Sequence, residues 1–144
     1  MHFWNSKRVL ITGHTGFKGS WLTTWLNLLG ADVSGISLAA VDGQSLYSCM
    51  APSLSIDSRE LNLCEKDKLE KAMLELNPEI IFHLAAQPLV KESISNPLET
   101  YQTNVIGTLN LLNAIRVLES VKVIVVVTTD TVSYTHLTLP TTYT

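Results

Sequence analysis

VLITGHTGFKGSW, residues 9–21, decides the fold. The apolar run Val9, Leu10, Ile11 stops at Thr12 and gives way to Gly13, Gly16 and Gly19, spaced by three. Trp21, Leu22, Trp25, Leu26, Leu28 and Leu29 then recur at helical spacing. That order predicts a buried strand, a glycine turn and an amphipathic helix, the opening unit of a dinucleotide-binding fold. The glycines have separate tasks. One permits a turn that a Cβ would block, one lets the main chain approach a diphosphate, and one lets the helix sit close on the sheet. Free N–H groups at the helix start, with the positive end of its dipole, then receive the anion.

The rest of the composition narrows the class. A chain of 144 residues with net charge −3 and 46% hydrophobic residues reads as one soluble domain. Cys49 and Cys64 have neither C-x-x-C spacing nor a nearby histidine, so the expectation is two buried thiols in a reducing compartment, with no metal. No basic block suggests nucleic acid as a partner. No apolar run approaches the ~20 residues of a membrane span, and no signal-peptide core precedes the first strand, so the expectation is a cytoplasmic protein without a membrane partner.

Outward from the glycine turn, strands and helices alternate. Residues 8–12 are the first strand and 17–29 the first helix, with Trp21 and Trp25 packed on the sheet and Gly30 as its cap. Phe3 and Trp4 cover the bottom of the sheet, and residues 33–38 form strand two. Residues 39–58 are loop-like, and a short third strand falls at 54–56 or at 60–63. A surface helix over 65–76 buries Leu69, Ala72, Met73 and Leu76, and Asn77-Pro78 ends it. Strand four spans 79–85, where His83 reads as a core histidine. Asn96-Pro97 starts a long helix to about residue 119, with an apolar face of Leu98, Tyr101, Val105, Thr108, Leu109, Leu112 and Ile115. The β-branched run at 121–128 suits a parallel strand buried on both faces. The fold class is therefore α/β, a Rossmann-type doubly wound parallel sheet that stops after its fifth strand.

The end of the chain breaks this pattern. VSYTHLTLPTT, residues 132–142, resembles the in-frame translation of a sequencing adapter. Residues 1–131 are accordingly read as the N-terminal part of a dinucleotide-binding domain and 132–144 as a non-native tail excluded from fold reasoning.

Four segments, GHTGFKGSW, PEIIFHLAAQPLV, ETYQTNVIGT and VVVTTD, lie in one order and register. Together they resemble the extended short-chain dehydrogenase/reductase family, and within it the CDP-glucose 4,6-dehydratase branch, over about residues 3–130. The resemblance implies NAD as cofactor and a nucleotide sugar as substrate. It places Gly13, His14, Thr15, Gly16, Phe17, Lys18 and Gly19 around the diphosphate. Leu84, Ala85, Ala86 and Gln87 would line the cofactor beside the switch point between strands one and four, and Thr103 would face it. Asn104 ties the long helix to the strand-four loop, and Asn62 with Leu63 lies beside the adenine. Thr129 would bond the C4 oxygen of the sugar, and Asp130 would protonate the departing C6 hydroxyl, which calls for a carboxyl pKa raised by burial.

The implied reaction converts CDP-glucose to CDP-4-keto-6-deoxyglucose by oxidation at C4, loss of water and return of the hydride to C6. The family's base is a tyrosine with a lysine four residues on. No tyrosine here has one, so these residues are expected to be inactive alone, as the front part of a longer enzyme. A homodimer is possible. Three departures stand out. Ala39 replaces the acid expected past strand two, with Asp42 the nearest acid. Leu61-Asn62 replaces a Gly-Asp pair, and Thr131 replaces a lysine. No arginine near Ala39 awaits a 2′-phosphate, which favours NAD over NADP. Alternatives are a nucleotide-sugar 4-epimerase, another sugar-nucleotide dehydratase of the same fold, or a non-catalytic dinucleotide-binding module.

Overall fold

In the computed structural model, which describes residues 3–40 and 45–128, five parallel strands form one sheet. They are β1 (Arg8–Thr12), β2 (Asp32–Ser37), β3 (Ile56–Glu60), β4 (Ile80–His83) and β5 (Val123–Val126), in the order β3-β2-β1-β4-β5. β1 lies at the centre because Val9, Leu10 and Ile11 are apolar on both faces, which only an interior strand satisfies. It pairs with β2 from Arg8↔Asp32 to Thr12↔Ile36 and with β4 from Val9↔Ile80 to Thr12↔His83. The switch point between β1 and β4 is therefore as expected.

Alternation along the strands builds two cores. Val9, Ile11, Val33 and Ile80 face α1 (Phe17–Leu28), whose Leu26 completes that cluster. Leu10, Ile36 and Ile81 face the opposite side, against Leu69, Ala72 and Met73 of α3 (Lys66–Leu76). Leu111 and Ala114 of α6 (Thr108–Ile115) close that second core. The expected apolar face of α3 is thus observed. Asn77, in the left-handed conformation at φ 42°, ends the helix ahead of Pro78.

Several expectations need correction. Residues 39–58 are not all loop: α2 (Leu46–Met50) and a 3-10 turn (Ala51–Ser53) lie within them. The third strand falls between the two predicted positions. Its sequence, IDSRE, is too polar to stand out, and its place comes from pairing with β2. A short helix, α4 (Val90–Ser95), precedes the long one and was not anticipated. The long helix runs over residues 97–115 as α5 (Pro97–Tyr101), a π-helical segment (Gln102–Gly107) and α6. Its predicted apolar face is mostly on the outside: Leu98, Tyr101, Val105, Leu109 and Leu112 are exposed, whereas Gly107, Leu111 and Ala114 are buried. Asn104, Thr108, Asn110 and Asn113 bond to neighbouring elements on the inner side, and the π segment shifts the phase, so the apolar periodicity alone could not choose the inner face.

Helix α1 is inverted in the same way. Its buried residues are Gly19, Ser20, Thr23 and Leu26, while Trp21 and Trp25 are 53% and 65% exposed. A helix lying close on a sheet needs small side chains at the contact, which sends the tryptophans outward. With Phe17, Lys18 and Leu22 they line a shallow open hollow. Trp4 packs on Phe82 with ring centroids 6.3 Å apart, but Phe3 is exposed. β5 is not buried on both faces. Val123, Val125 and Val126 are exposed, and among the described residues the strand pairs only with β4. Cys49 is exposed and Cys64 half-buried, both as free thiols. Among the described residues no helix is long and apolar enough to cross a membrane, and no His, Cys, Asp and Glu cluster suits a metal.

Candidate functional site

The carboxyl ends of β1 and β4 meet at the glycine turn. Gly13 adopts φ +76°, and its N–H donates to the Ile36 carbonyl at 2.8 Å. A Cβ there would come within 2.8 Å of Ala85 N and Cα, so the turn presses directly on the Leu84–Ala85 backbone. A Cβ on Gly19 would stand 2.1 Å from the Gly13 carbonyl oxygen, which is how closely α1 approaches the turn. Gly16 is the N-cap of α1, with no side-chain cap and no acid in the first turn. The first N–H groups of a twelve-residue helix therefore point outward with positive potential, a cradle for an anion.

The side chains of the turn divide. Phe17 and Lys18 are exposed on the first turn of α1. Thr15 binds the end of β2: its Oγ1 is 2.6 Å from Ser37 Oγ and donates to the Leu38 carbonyl at 3.2 Å. His14 turns inward. Its ring lies against Gly35, edge-on to Tyr47, with Nε2 at 2.7 Å from Ser58 Oγ. The Tyr47 hydroxyl donates to that same Ser58 oxygen at 3.1 Å. Only the backbone of His14 is left to face a diphosphate.

Under the turn runs a relay of hydroxyls and one imidazole. Thr12 Oγ1 is 2.6 Å from His83 Nδ1, and His83 Nε2 is 2.8 Å from Thr108 Oγ1. Thr108 donates to the Asn104 carbonyl at 2.7 Å, so it accepts from Nε2–H, and Nδ1 accepts from Thr12. The Ala85 N–H donates to Thr12 Oγ1 at 3.3 Å. His83 is thus the core residue expected of it, joining β1, β4 and the long helix. From sequence Thr12 reads only as the end of the first strand and Thr108 only as part of the long helix's apolar face; their hydroxyls are the signal for this role.

Asn104 clamps the strand-four loop as anticipated. Its Oδ1 accepts the Gln87 N–H at 2.7 Å and its Nδ2 donates to the Gln87 carbonyl at 3.1 Å. The Gln87 side chain bonds Thr100 Oγ1 and the Leu89 backbone, so it braces its own loop. Ala86 is exposed beside it, and Thr103 is half-buried on the π segment. Asn62 folds back, its Oδ1 accepting the Cys64 N–H at 2.9 Å. Leu63 is a core residue: its side chain touches Gly107 and its carbonyl accepts from Asn110 Nδ2 at 3.0 Å. The turn, the Leu84–Gln87 loop and Asn104 come together, whereas Leu63 is committed to packing on the long helix and the Asn62 side chain to its own turn. Asp42, Thr129 and Asp130 lie outside the described residues.

Burial holds both His14 and His83 below the ordinary histidine range. The unfolded chain then binds more protons than the native one below the ordinary pKa of about 6.5. Stability should be complete above that value and fall as pH drops toward the native values. Thermal midpoints at pH 7.5 and 5.5 test this; a midpoint equal or higher at the lower pH would refute it.

Comparison with known proteins agrees with this architecture. The profile of the GDP-mannose 4,6 dehydratase family matches residues 10–133. The CDP-glucose 4,6-dehydratase of Salmonella typhimurium is 44% identical over 129 residues, which are 90% of this chain and 36% of that protein. The UDP-glucose 4-epimerase of Mycoplasma pneumoniae is 33% identical over 78% of this chain and 32% of its own. The chain thus spans about a third of the length of these curated relatives. Among solved structures, Pen from Bacillus thuringiensis superposes with TM-score 0.75 at 27% identity, covering 88% of this chain and 38% of that one. The UDP-glucose 4-epimerase of Thermus thermophilus, solved in complex with NAD, gives 0.68 at 30% identity over 80% and 35%. Five parallel strands in switch-point order, the glycine turn against β4 and a profile match over most of the chain place it in the GDP-mannose 4,6 dehydratase family.

Proposed function

We propose that these residues are the NAD-binding part of a nucleotide-sugar dehydratase that turns CDP-glucose into CDP-4-keto-6-deoxyglucose. The observation that carries the cofactor reading is the uncapped start of α1, pressed by Gly13 onto the Leu84–Ala85 backbone. Backbone N–H groups of residues 13–19 would hold the diphosphate, with Lys18 adding positive charge at its edge. Leu84, Ala85 and Ala86 offer a low backbone surface on which a flat ring can lie, and the Asn104–Gln87 clamp keeps that surface in place. Bound NAD supplies a reversible hydride acceptor. Thr129 and Asp130 are proposed to contact the sugar at its C4 oxygen and C6 hydroxyl. Identity to the CDP-glucose enzyme favours that substrate over those of the epimerases, which match less closely.

Supporting a homodimer, Leu98, Tyr101, Val105, Leu109 and Leu112 make an exposed apolar stripe along the long helix. Residues 132–144 are proposed to lie outside the domain; codons that do not match an adapter would refute that. The test of function is calorimetric titration of the chain with NAD, expected to show one site per chain and a raised thermal midpoint. No heat and no midpoint shift at millimolar NAD would sink the reading and leave the fold alone. Sedimentation of the same sample should report the mass of two chains, and a monomer would refute the dimer. A longer chain carrying a Tyr-x-x-x-Lys pair should dehydrate CDP-glucose, while these 144 residues should not.

A further inference from the structure

We propose that Glu60, at the carboxyl end of β3, supplies the carboxylate that receives the adenosine ribose hydroxyls of the dinucleotide and sets its preference for NAD over NADP. The proposal rests on the NAD-binding reading above. A ribose diol presents two O–H donors, which a carboxylate accepts together, and folds of this class commonly place an acid just past strand two for that purpose. Here that stretch reads Ser37, Leu38, Ala39, Ala40, without an acid.

The strand register brings one from the side. Glu60 is the direct partner of Ser37 across the β2–β3 pair, about 4.8 Å away as neighbouring strands are. Paired residues on parallel strands share a face. Val33 and its partner Ile56 both pack in the α1-side core, and Gly35 and its partner Ser58 both meet the His14 ring. Two residues further along, Ser37 and Glu60 therefore emerge on the same α1 side, at the mouth of the site. Ser37 is itself fastened to the glycine turn through Thr15, so Glu60 is the strand partner of a residue tied to the segment that would carry the diphosphate.

Glu60 is exposed, and its carboxylate makes no hydrogen bond or ion pair with another described residue. Its neighbour Arg59 is turned to the opposite face and held there by Asp57 and Glu75, with its guanidinium pKa raised by those hydrogen bonds. The Arg59 guanidinium is thus withheld from a 2′-phosphate, while the Glu60 carboxylate would repel one.

Titrating the chain separately with NAD and NADP tests this. NAD should bind the unchanged chain at least about tenfold more tightly, and Glu60→Gln should weaken NAD about tenfold and bring the two affinities together. Adding Ala39→Asp to Glu60→Gln should restore the preference, because it returns the acid to strand two. Circular dichroism should be unchanged throughout, since Glu60 is exposed. If Glu60→Gln leaves the NAD to NADP ratio as it was, or if Asp42→Asn collapses it instead, the assignment is wrong while the NAD reading stands. If the unchanged chain binds neither dinucleotide, the NAD reading itself falls.

Discussion

Gly19→Ala is expected to lower stability by about 2–3 kcal/mol and NAD affinity by more than about tenfold, although alanine is the better helix former. Gly19 lies inside α1, where helix propensity alone predicts a gain of up to about 1 kcal/mol for this change. The close contact decides the sign. An added Cβ would stand 2.1 Å from the Gly13 oxygen and 2.8 Å from both Gly13 C and His14 Cα, all of them backbone atoms with no rotamer to yield. Either α1 lifts off the turn or the turn shifts, and both move the N–H groups that form the anion cradle. Thermal denaturation and an NAD titration read the two effects. A stabilised Gly19→Ala variant with unchanged affinity would mean that the helix does not approach the turn this closely.

The glycine spacing that makes this prediction possible was legible because it is local. A strand end, a turn and a helix start are contiguous in sequence, and β1 falls on its predicted residues, Arg8–Thr12. The α3 face was legible for the same reason, with its polar outer side leaving one reading of the periodicity. What failed was decided by distant pairing. Helix α1 shows large apolar residues outward and Ser20 and Thr23 inward, the reverse of the hydrophobic ranking, because the sheet contact selects for size. β3 carries one apolar residue at its start and is identified by its register with β2.

In the site, Asn104 was placed correctly as a tie between helix and loop. The family resemblance places His14 on the phosphate side with the rest of the glycine turn. Its burial depends on Gly35 and Ser58, which come 21 and 44 residues later and meet it only once β2 and β3 have paired. The hydroxyl relay through Thr12, His83 and Thr108 is nonlocal in the same sense, joining residues from β1, β4 and α6.

Leu10→Ala is expected to cost about 2–5 kcal/mol, while Trp25→Ala should cost no more than about 1 kcal/mol despite removing far more side chain. Leu10 is 0% exposed on the central strand, directly paired with Ile81, and shares its core with Leu69, Met73 and Leu111. Elements on every side fix that cavity, so little can collapse into it. Single domains are stable by only about 5–15 kcal/mol, so the loss is a large fraction of the whole. Trp25 stands on the outer flank of α1, and its removal returns mostly wet surface to water. Urea unfolding of the two variants separates them by midpoint at equal slope. The reverse order, with Trp25→Ala the more damaging, would show that the Phe17, Lys18, Trp21 and Trp25 hollow is covered in solution, and that the outer flank of α1 belongs to an interface.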